Sequence, residues 1–300
     1  MEQQFRTDLA CEFIKSKKRL PDGAELSRIE YENGITAERI DISEDAAKTI
    51  GRPAGRYVTF SSGKLWELDG YALDEISELL SEELASFAEE MTGKRLSGDF
   101  SVLVVGLGNE KMTPDAIGPG TVSRITATRH LADAAPEMFK KLECCRVSAI
   151  SPGVLGQTGI ETVELVKGAV VGASPDIVIA IDALAARSCD RLASTVQLSD
   201  CGISPGSGVG NRRFALSKET LGVPVIALGV PTVVDSSTLV RDVLSMSGNE
   251  SSSKELEAVL NNGKSFFVAP KECDEIVKCV CRLFASGIDR AFGITLGDYA

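Results

Sequence analysis

Two aspartates pose the chemical question in this chain. Asp182 follows the apolar run Ile177 to Ile181, and Asp115 stands in Thr113-Pro114-Asp115-Ala116, just past a second apolar run, Val102 to Val105. Short apolar runs rich in β-branched residues predict strands buried on both faces. An acid at the end of such a strand is costly unless it has a partner or a task. In a parallel sheet the carboxyl ends of neighbouring strands open on one crevice, so Asp115 and Asp182 are expected to converge there. Two carboxylates in one crevice do not both ionise cheaply: one keeps a proton and can act as a general acid, while the other can activate water. The competing readings are structural. Asp115 would interact with a helix dipole, and Asp182 would pair with Arg187 or Arg191.

Three glycine-rich stretches are expected to line the same crevice. Ser151 to Gly159, with Gly153 and Gly159, offers backbone N–H groups to a peptide carbonyl or a developing oxyanion; the alternative is a loop and helix start capped by Thr158. Ser204 to Asn211, with Gly206, Ser207 and Gly208, is too long for a tight turn and reads as a binding loop or a flexible connection. Gly229 to Asp235 ends a further strand, and its acid, Asp235, directly precedes Ser236 and Ser237, so it is expected to cap or orient rather than catalyse.

Other chemistries fit less well. Ser207 lies in G-S-G, not the G-x-S-x-G elbow, and the single histidine, His130, falls late in a helix predicted from Pro114 to about Leu131. A Ser-His or Cys-His pair is therefore disfavoured. After Gly106 and Gly108 the third glycine of a dinucleotide fingerprint is replaced by Lys111, which weakens a nucleotide reading. One histidine excludes a multi-histidine metal cage, so no metal or other cofactor is assigned, carboxylate ligation being the remaining route to one. None of the eight cysteines forms C-x-x-C; free thiols in a reducing compartment are expected.

These residues need elements to hold them. From Ser101 onward strands (Val102 to Val105, Cys145 to Ile150, Ile177 to Ile181, Thr195 to Leu198, Val223 to Val230, Phe266 to Val268) alternate with helices (Ile160 to Val171, Ser236 to about Met246, Glu272 to about Phe292). That order predicts an α/β fold, a mostly parallel sheet with helices on both faces, over residues 101–300. Residues 9–100 read as an N-terminal arm, a small β-rich flap or subdomain containing Ile40 to Ile42 and Tyr57 to Phe60, and an amphipathic helix from Asp74 to Thr92, forming one compact unit with residues 101–300. Met1 to about Pro21 reads as a polar arm rather than core. A chain of 300 residues, 43% hydrophobic, can bury a large core. Its net charge of -11 argues against direct nucleic-acid binding. No apolar run predicts a membrane span and the polar start has no signal-peptide core, so a cytoplasmic location without a membrane partner is expected.

A set of motifs, in order along nearly the whole chain, carries a resemblance. They are Arg6 to Ala10 (RTDLA), Val105 to Asn109 (VGLGN) with Thr113 to Ala116 (TPDA), Pro152 to Val154, and Thr158 to Thr162 (TGIET). Ile181 to Arg187 (IDALAAR), Pro205 to Asn211 (PGSGVGN) and Gly229 to Asp235 (GVPTVVD) complete the set. Together they resemble the germination protease family of spore-forming bacteria. The resemblance implies an endopeptidase that degrades small, acid-soluble, DNA-coating spore proteins during germination, in the forespore and spore core. It further implies an unusual aspartic-type mechanism with Asp115 and Asp182 as the catalytic pair, a fold similar to the hydrogenase maturation proteases, and a homotetramer. Gly153, Gly159, Glu161, Arg187, Gly206, Ser207, Gly208 and Asp235 lie in the motifs and are expected to bind substrate or support the site. The family is made as a self-processing zymogen, and by resemblance cleavage falls between Asp8 and Leu9, making residues 1–8 a propeptide. The maturation proteases bind metal, so a metal-assisted peptidase is one alternative; a non-catalytic peptide-binding protein is another.

Overall fold

The apolar runs become the centre of one mixed sheet. The computed structural model of the chain describes residues 7–16, 20–207, 213–247, 256 and 266–294. In chain order the first elements are α1 (Ala10–Ser16), β1 (Ala24–Glu30), β2 (Thr36–Ile42), α2 (Glu44–Ile50), β3 (Gly55–Ser61) and α3 (Gly70–Thr92). Then come β4 (Ser101–Gly106), a 3-10 turn (Thr113–Asp115), α4 (Ile117–Val122), α5 (Arg129–Ala134), α6 (Pro136–Leu142), β5 (Arg146–Ile150), α7 (Leu155–Thr158) and α8 (Thr162–Ala173). The remainder is β6 (Ile177–Ala186), β7 (Thr195–Ser199), α9 (Lys218–Leu221), β8 (Val225–Asp235), α10 (Ser236–Met246), β9 (Phe267–Val268) and α11 (Cys273–Ala291).

The strand order is β1-β2-β3-β7-β8-β6-β4-β5, with β9 paired to the end of β8. Only β5, β4, β6 and β8 are parallel; every other pairing is antiparallel. The sheet is thus mixed rather than mostly parallel. One cause is the short connection after β6: residues 187–194 are too few for the crossover of a dozen or more residues that a parallel return needs. β7 therefore runs back against β8 and presents its other edge to β3, which joins the N-terminal strands to the main sheet.

Strand alternation sorts the two faces. Ile177, Ile179 and Ile181 of β6, with Ile226 and Leu228 of β8 and Val196 and Leu198 of β7, share a core with the apolar stripes of α3 and α11. Val178 and Ala180 face the opposite way, towards Val163 and Val166 of α8. Further along that second face, Leu184, Ala186 and Val234 pack on Leu9, Ala10, Cys11 and Ile14. The N-terminal stretch is therefore core and not a polar arm: Leu9 is fully buried. Helices do cover both faces.

Two further expectations change. The helix expected from Pro114 to Leu131 is divided into the 3-10 turn, α4 and α5: helical structure stops at Val122 and resumes at Arg129. Strand β6 does not end at Ile181 but runs on to Ala186, with an irregularity between Leu184 and Ala185. No described helix is long and apolar enough to cross a membrane.

Candidate active site

Asp182 owes its position to the end of β4 rather than to the end of its own strand. Gly106, the last residue of β4, pairs with Ile181, so Asp182 is the first position of β6 past that neighbour. On its other side Asp182 pairs with Gly229 of β8. Its side chain is 6% exposed, and Oδ1 accepts the Ala183 N–H at 3.0 Å.

Asp115 reaches the site through two close approaches. A Cβ on Gly106 would lie 2.2 Å from the Gly118 carbonyl oxygen, so only glycine there lets α4 begin beside the strand end. Gly108 has φ +106°, and a Cβ there would lie 2.1 Å from the Asp115 carbonyl oxygen. The chain then turns so that the Asn109 N–H donates to Asp115 Oδ2 at 2.8 Å. Thr232 of β8 donates its hydroxyl to the Pro114 carbonyl at 2.7 Å, tying the 3-10 turn to the sheet. The two glycines that resembled part of a nucleotide fingerprint thus serve the placement of an acid.

Both acids are held above the ordinary carboxylate range. Burial pushes Asp115 up against the opposing Asn109 N–H. Asp182 is raised further, by burial first, then by the charges of Asp115 and Asp8, with the Ala183 N–H acting the other way. The field at Asp182 is set by burial and acids rather than by an arginine. Arg191 reaches Ser61 Oγ at 2.7 Å, and the charge of Arg187 bears on Asp242.

The third acid, Asp8, arrives with the N-terminal segment. Its N–H donates to the Ala185 carbonyl (2.8 Å), and its carboxylate accepts the Ala185 N–H (2.9 Å) and the Ser207 hydroxyl (2.7 Å). Its carbonyl oxygen accepts from Gln197 Nε2 at 3.1 Å, while Gln197 Oε1 accepts the Ala10 N–H at 2.7 Å. Four residues on, the Glu12 carboxylate accepts the N–H groups of Arg187 (2.7 Å) and Ser188 (2.9 Å) and the Thr7 hydroxyl. A short coil, Thr7 to Leu9, and the start of α1, carrying the acids Asp8 and Glu12, are therefore laid along β6 past the end of β4.

The other expected residues divide. Ser207 and the backbone of Arg187 touch this segment; the Arg187 side chain lines a polar cavity of about 450 Å³ beside Glu12. Gly206 lies in the turn that carries Ser207. Gly153 and Gly159 flank α7, and Glu161 caps the backbone start of α8 and pairs with Arg213 at 3.7 Å, with no contact to Asp115 or Asp182 among its described interactions. Asp235 ends β8 and accepts the Ser237 N–H at 2.8 Å. Gly208 lies outside the described residues. Gln197, Glu12 and Thr232 were not expected from sequence. Only RTDLA pointed towards the segment that two of them hold. Among the described residues, no group of three or more His, Cys, Asp or Glu side chains is gathered as a metal site.

A peptide segment held along the strand that carries buried Asp182 is an arrangement that suits a peptidase. Comparison with known proteins makes that class definite. A family model described as germination protease matches residues 15–250. A germination protease of Clostridium perfringens is 41% identical over 95% of this chain and 94% of its own length. That of Caldanaerobacter subterraneus subsp. tengcongensis is 44% identical over 96% and 94%, and that of Bacillus subtilis 45% identical over 80% and 66%. The chain belongs to the germination protease family.

Proposed function

We propose that this peptidase is an aspartic-type endopeptidase, made as a zymogen, that begins the degradation of small acid-soluble, DNA-binding spore proteins at germination. Asp182, the more deeply buried acid and the more strongly raised, keeps the proton and acts as general acid. Asp115 ionises first and takes a proton from the attacking water. The proposal extends to a fold akin to the hydrogenase maturation proteases, a homotetramer, a location in the forespore and spore core, and no cofactor.

One observation carries the reading: the Asp8 peptide is held on both sides, by Ala185 of β6 and Gln197 of β7, on strands that carry or adjoin Asp182, whose proton affinity the charge of Asp8 raises. This supports intramolecular cleavage between Asp8 and Leu9, releasing residues 1–8. Because one member of the pair must be ionised and the other protonated, the rate should be bell-shaped in pH, rising as Asp115 ionises and falling as Asp182 does.

The test is intact-mass spectrometry of the purified chain during mildly acidic incubation, with wild type beside Asp182→Asn. Wild type should lose Met1 to Asp8 and Asp182→Asn should remain whole, with a chelator making no difference. Processing by a folded Asp182→Asn chain would remove the aspartate pair from the chemistry. Arrest of the wild type by the chelator would replace it with metal-assisted hydrolysis.

A further inference from the structure

We infer that Gln197 is a third catalytic residue, donating from Nε2 to the carbonyl oxygen of the bond that is cut and stabilising the charge that develops there. The inference deepens the reading above and rests on cleavage of the Asp8–Leu9 bond by Asp115 and Asp182.

The sheet register sets up the arrangement. Gln197 of β7 pairs with Gly229 of β8, and Gly229 pairs with Asp182 of β6. The three residues form one row across three strands, and directly paired residues project to the same face. The middle residue has no side chain. The Leu184 side chain fills that place, its Cγ 2.6 Å from where a Cβ on Gly229 would lie, so Gln197 and Asp182 stand on either side of it on strands roughly 10 Å apart at two strand spacings. On that face the structure lays the Asp8 peptide.

The orientation of the Gln197 amide is dictated by its partners. The Ala10 N–H is a donor, so the atom 2.7 Å away must be Oε1; the Asp8 carbonyl is an acceptor, so the atom 3.1 Å away must be Nε2. One end of the amide is thus held by the residue after Leu9 while the other points at the carbonyl before it. Gln197 is only 8% exposed, so its dipole acts where water screens poorly. This is the form of an oxyanion donor: fixed in advance, buried, and within hydrogen-bond reach of the oxygen where charge accumulates.

In the reaction, water attacks the Asp8 carbonyl carbon and loses a proton to ionised Asp115, while protonated Asp182 delivers its proton to the carbonyl oxygen. Gln197 lowers the barrier by holding that oxygen as its negative charge grows. The tetrahedral carbon then expels the Leu9 nitrogen, which takes the proton from Asp115; a hydroxyl proton returns to Asp182. The C–N bond breaks, one water is consumed, and the acids regain their starting states.

The experiment measures the first-order rate of Met1 to Asp8 release by intact mass, with folding followed by circular dichroism. Gln197→Ala should slow release by about 10²–10³-fold, the usual effect of losing one such donor. Gln197→Glu separates catalysis from anchoring: it keeps an acceptor for the Ala10 N–H at every pH but can donate to the carbonyl only when protonated. Its release should be slow near neutrality and recover towards wild type on acidification. If folded Gln197→Glu instead matches wild type across the pH range while Asp182→Asn stays inert, Gln197 is only an anchor and the aspartate reading survives. If wild type does not cut at Asp8–Leu9, or Asp182→Asn does, the aspartate reading fails and this inference falls with it.

Discussion

A carboxylate buried as deeply as Asp182 opposes folding whenever it ionises. Its folded-state pKa lies above the ordinary value of 3.8, so the folded chain binds that proton more tightly than the unfolded chain. Below 3.8 both states are protonated and there is no penalty. As pH rises from there through the folded pKa, stability falls, and above it the loss is constant. Asp115 contributes with the same sign. Replacing Asp182 with Asn removes the ionisation and keeps the shape. The unprocessed Asp182→Asn chain should therefore melt above unprocessed wild type at pH 7, by roughly 1–2 °C for a gain of about 1 kcal/mol in a chain of 300 residues. The two melting curves should converge in acid. An Asn variant less stable than wild type at every pH would mean that Asp182 is held by compensating contacts and carries no stored cost.

The element that delivers Asp115 is the turn between β4 and α4, and it depends on glycine for two separate reasons. At Gly108 a side chain meets both a positive φ and the Asp115 carbonyl. Gly108→Ala should cost about 1–3 kcal/mol, seen as a lower urea midpoint, and should reduce self-processing far more than stability because the acid itself is displaced. Variants that lose only stability would detach this turn from the chemistry. This turn also marks how far sequence reasoning reaches. Asp182 stands out because an acid directly after an apolar run is anomalous in itself, whereas Asp115 drew attention only through the turn and helix start that follow the Val102 to Val105 run. The extents of α8, α10 and α11 followed from their apolar periodicity. The end of α4 at Val122 was not legible, since nothing local says that Gly118 must press against Gly106. Gln197, inside Thr195-Val196-Gln197-Leu198-Ser199, looks like the solvent side of an alternating strand; its partners lie 187 and 189 residues away. Glu12 is likewise defined by contacts 175 and 176 residues distant, which no spacing within seven helical residues could reveal.

Across the whole molecule the N-terminal segment is attached differently on the two sides of the Asp8–Leu9 bond. On one side Thr7 and Asp8 are held by hydrogen bonds to Ala185, Ser207 and Gln197. On the other, Leu9, Ala10, Cys11 and Ile14 are buried among Ile40, Ile42, Tyr57, Leu184, Ala186 and Val234, bridging β2, β3, β6 and β8. Cutting at that bond releases the Thr7 and Asp8 hydrogen bonds and leaves the apolar packing with the Glu12 and Ala10 hydrogen bonds, so processing need not loosen the fold. It also frees the Ala185 N–H, the Ser207 hydroxyl and Gln197 Nε2, groups suited to an incoming peptide. The division has a thermodynamic test. A chain beginning at Leu9 should unfold in urea with nearly the m-value of the full chain, because the same apolar surface is exposed. Leu9→Ala in the full chain should instead cost about 2–5 kcal/mol, the range for emptying a fully buried leucine site. If the order is reversed, with the truncated chain collapsing and Leu9→Ala nearly neutral, then hydrogen bonds from Thr7 and Asp8 hold the β6 end and β7 in place, and cleavage must act by unlocking the sheet rather than by freeing groups for a new peptide.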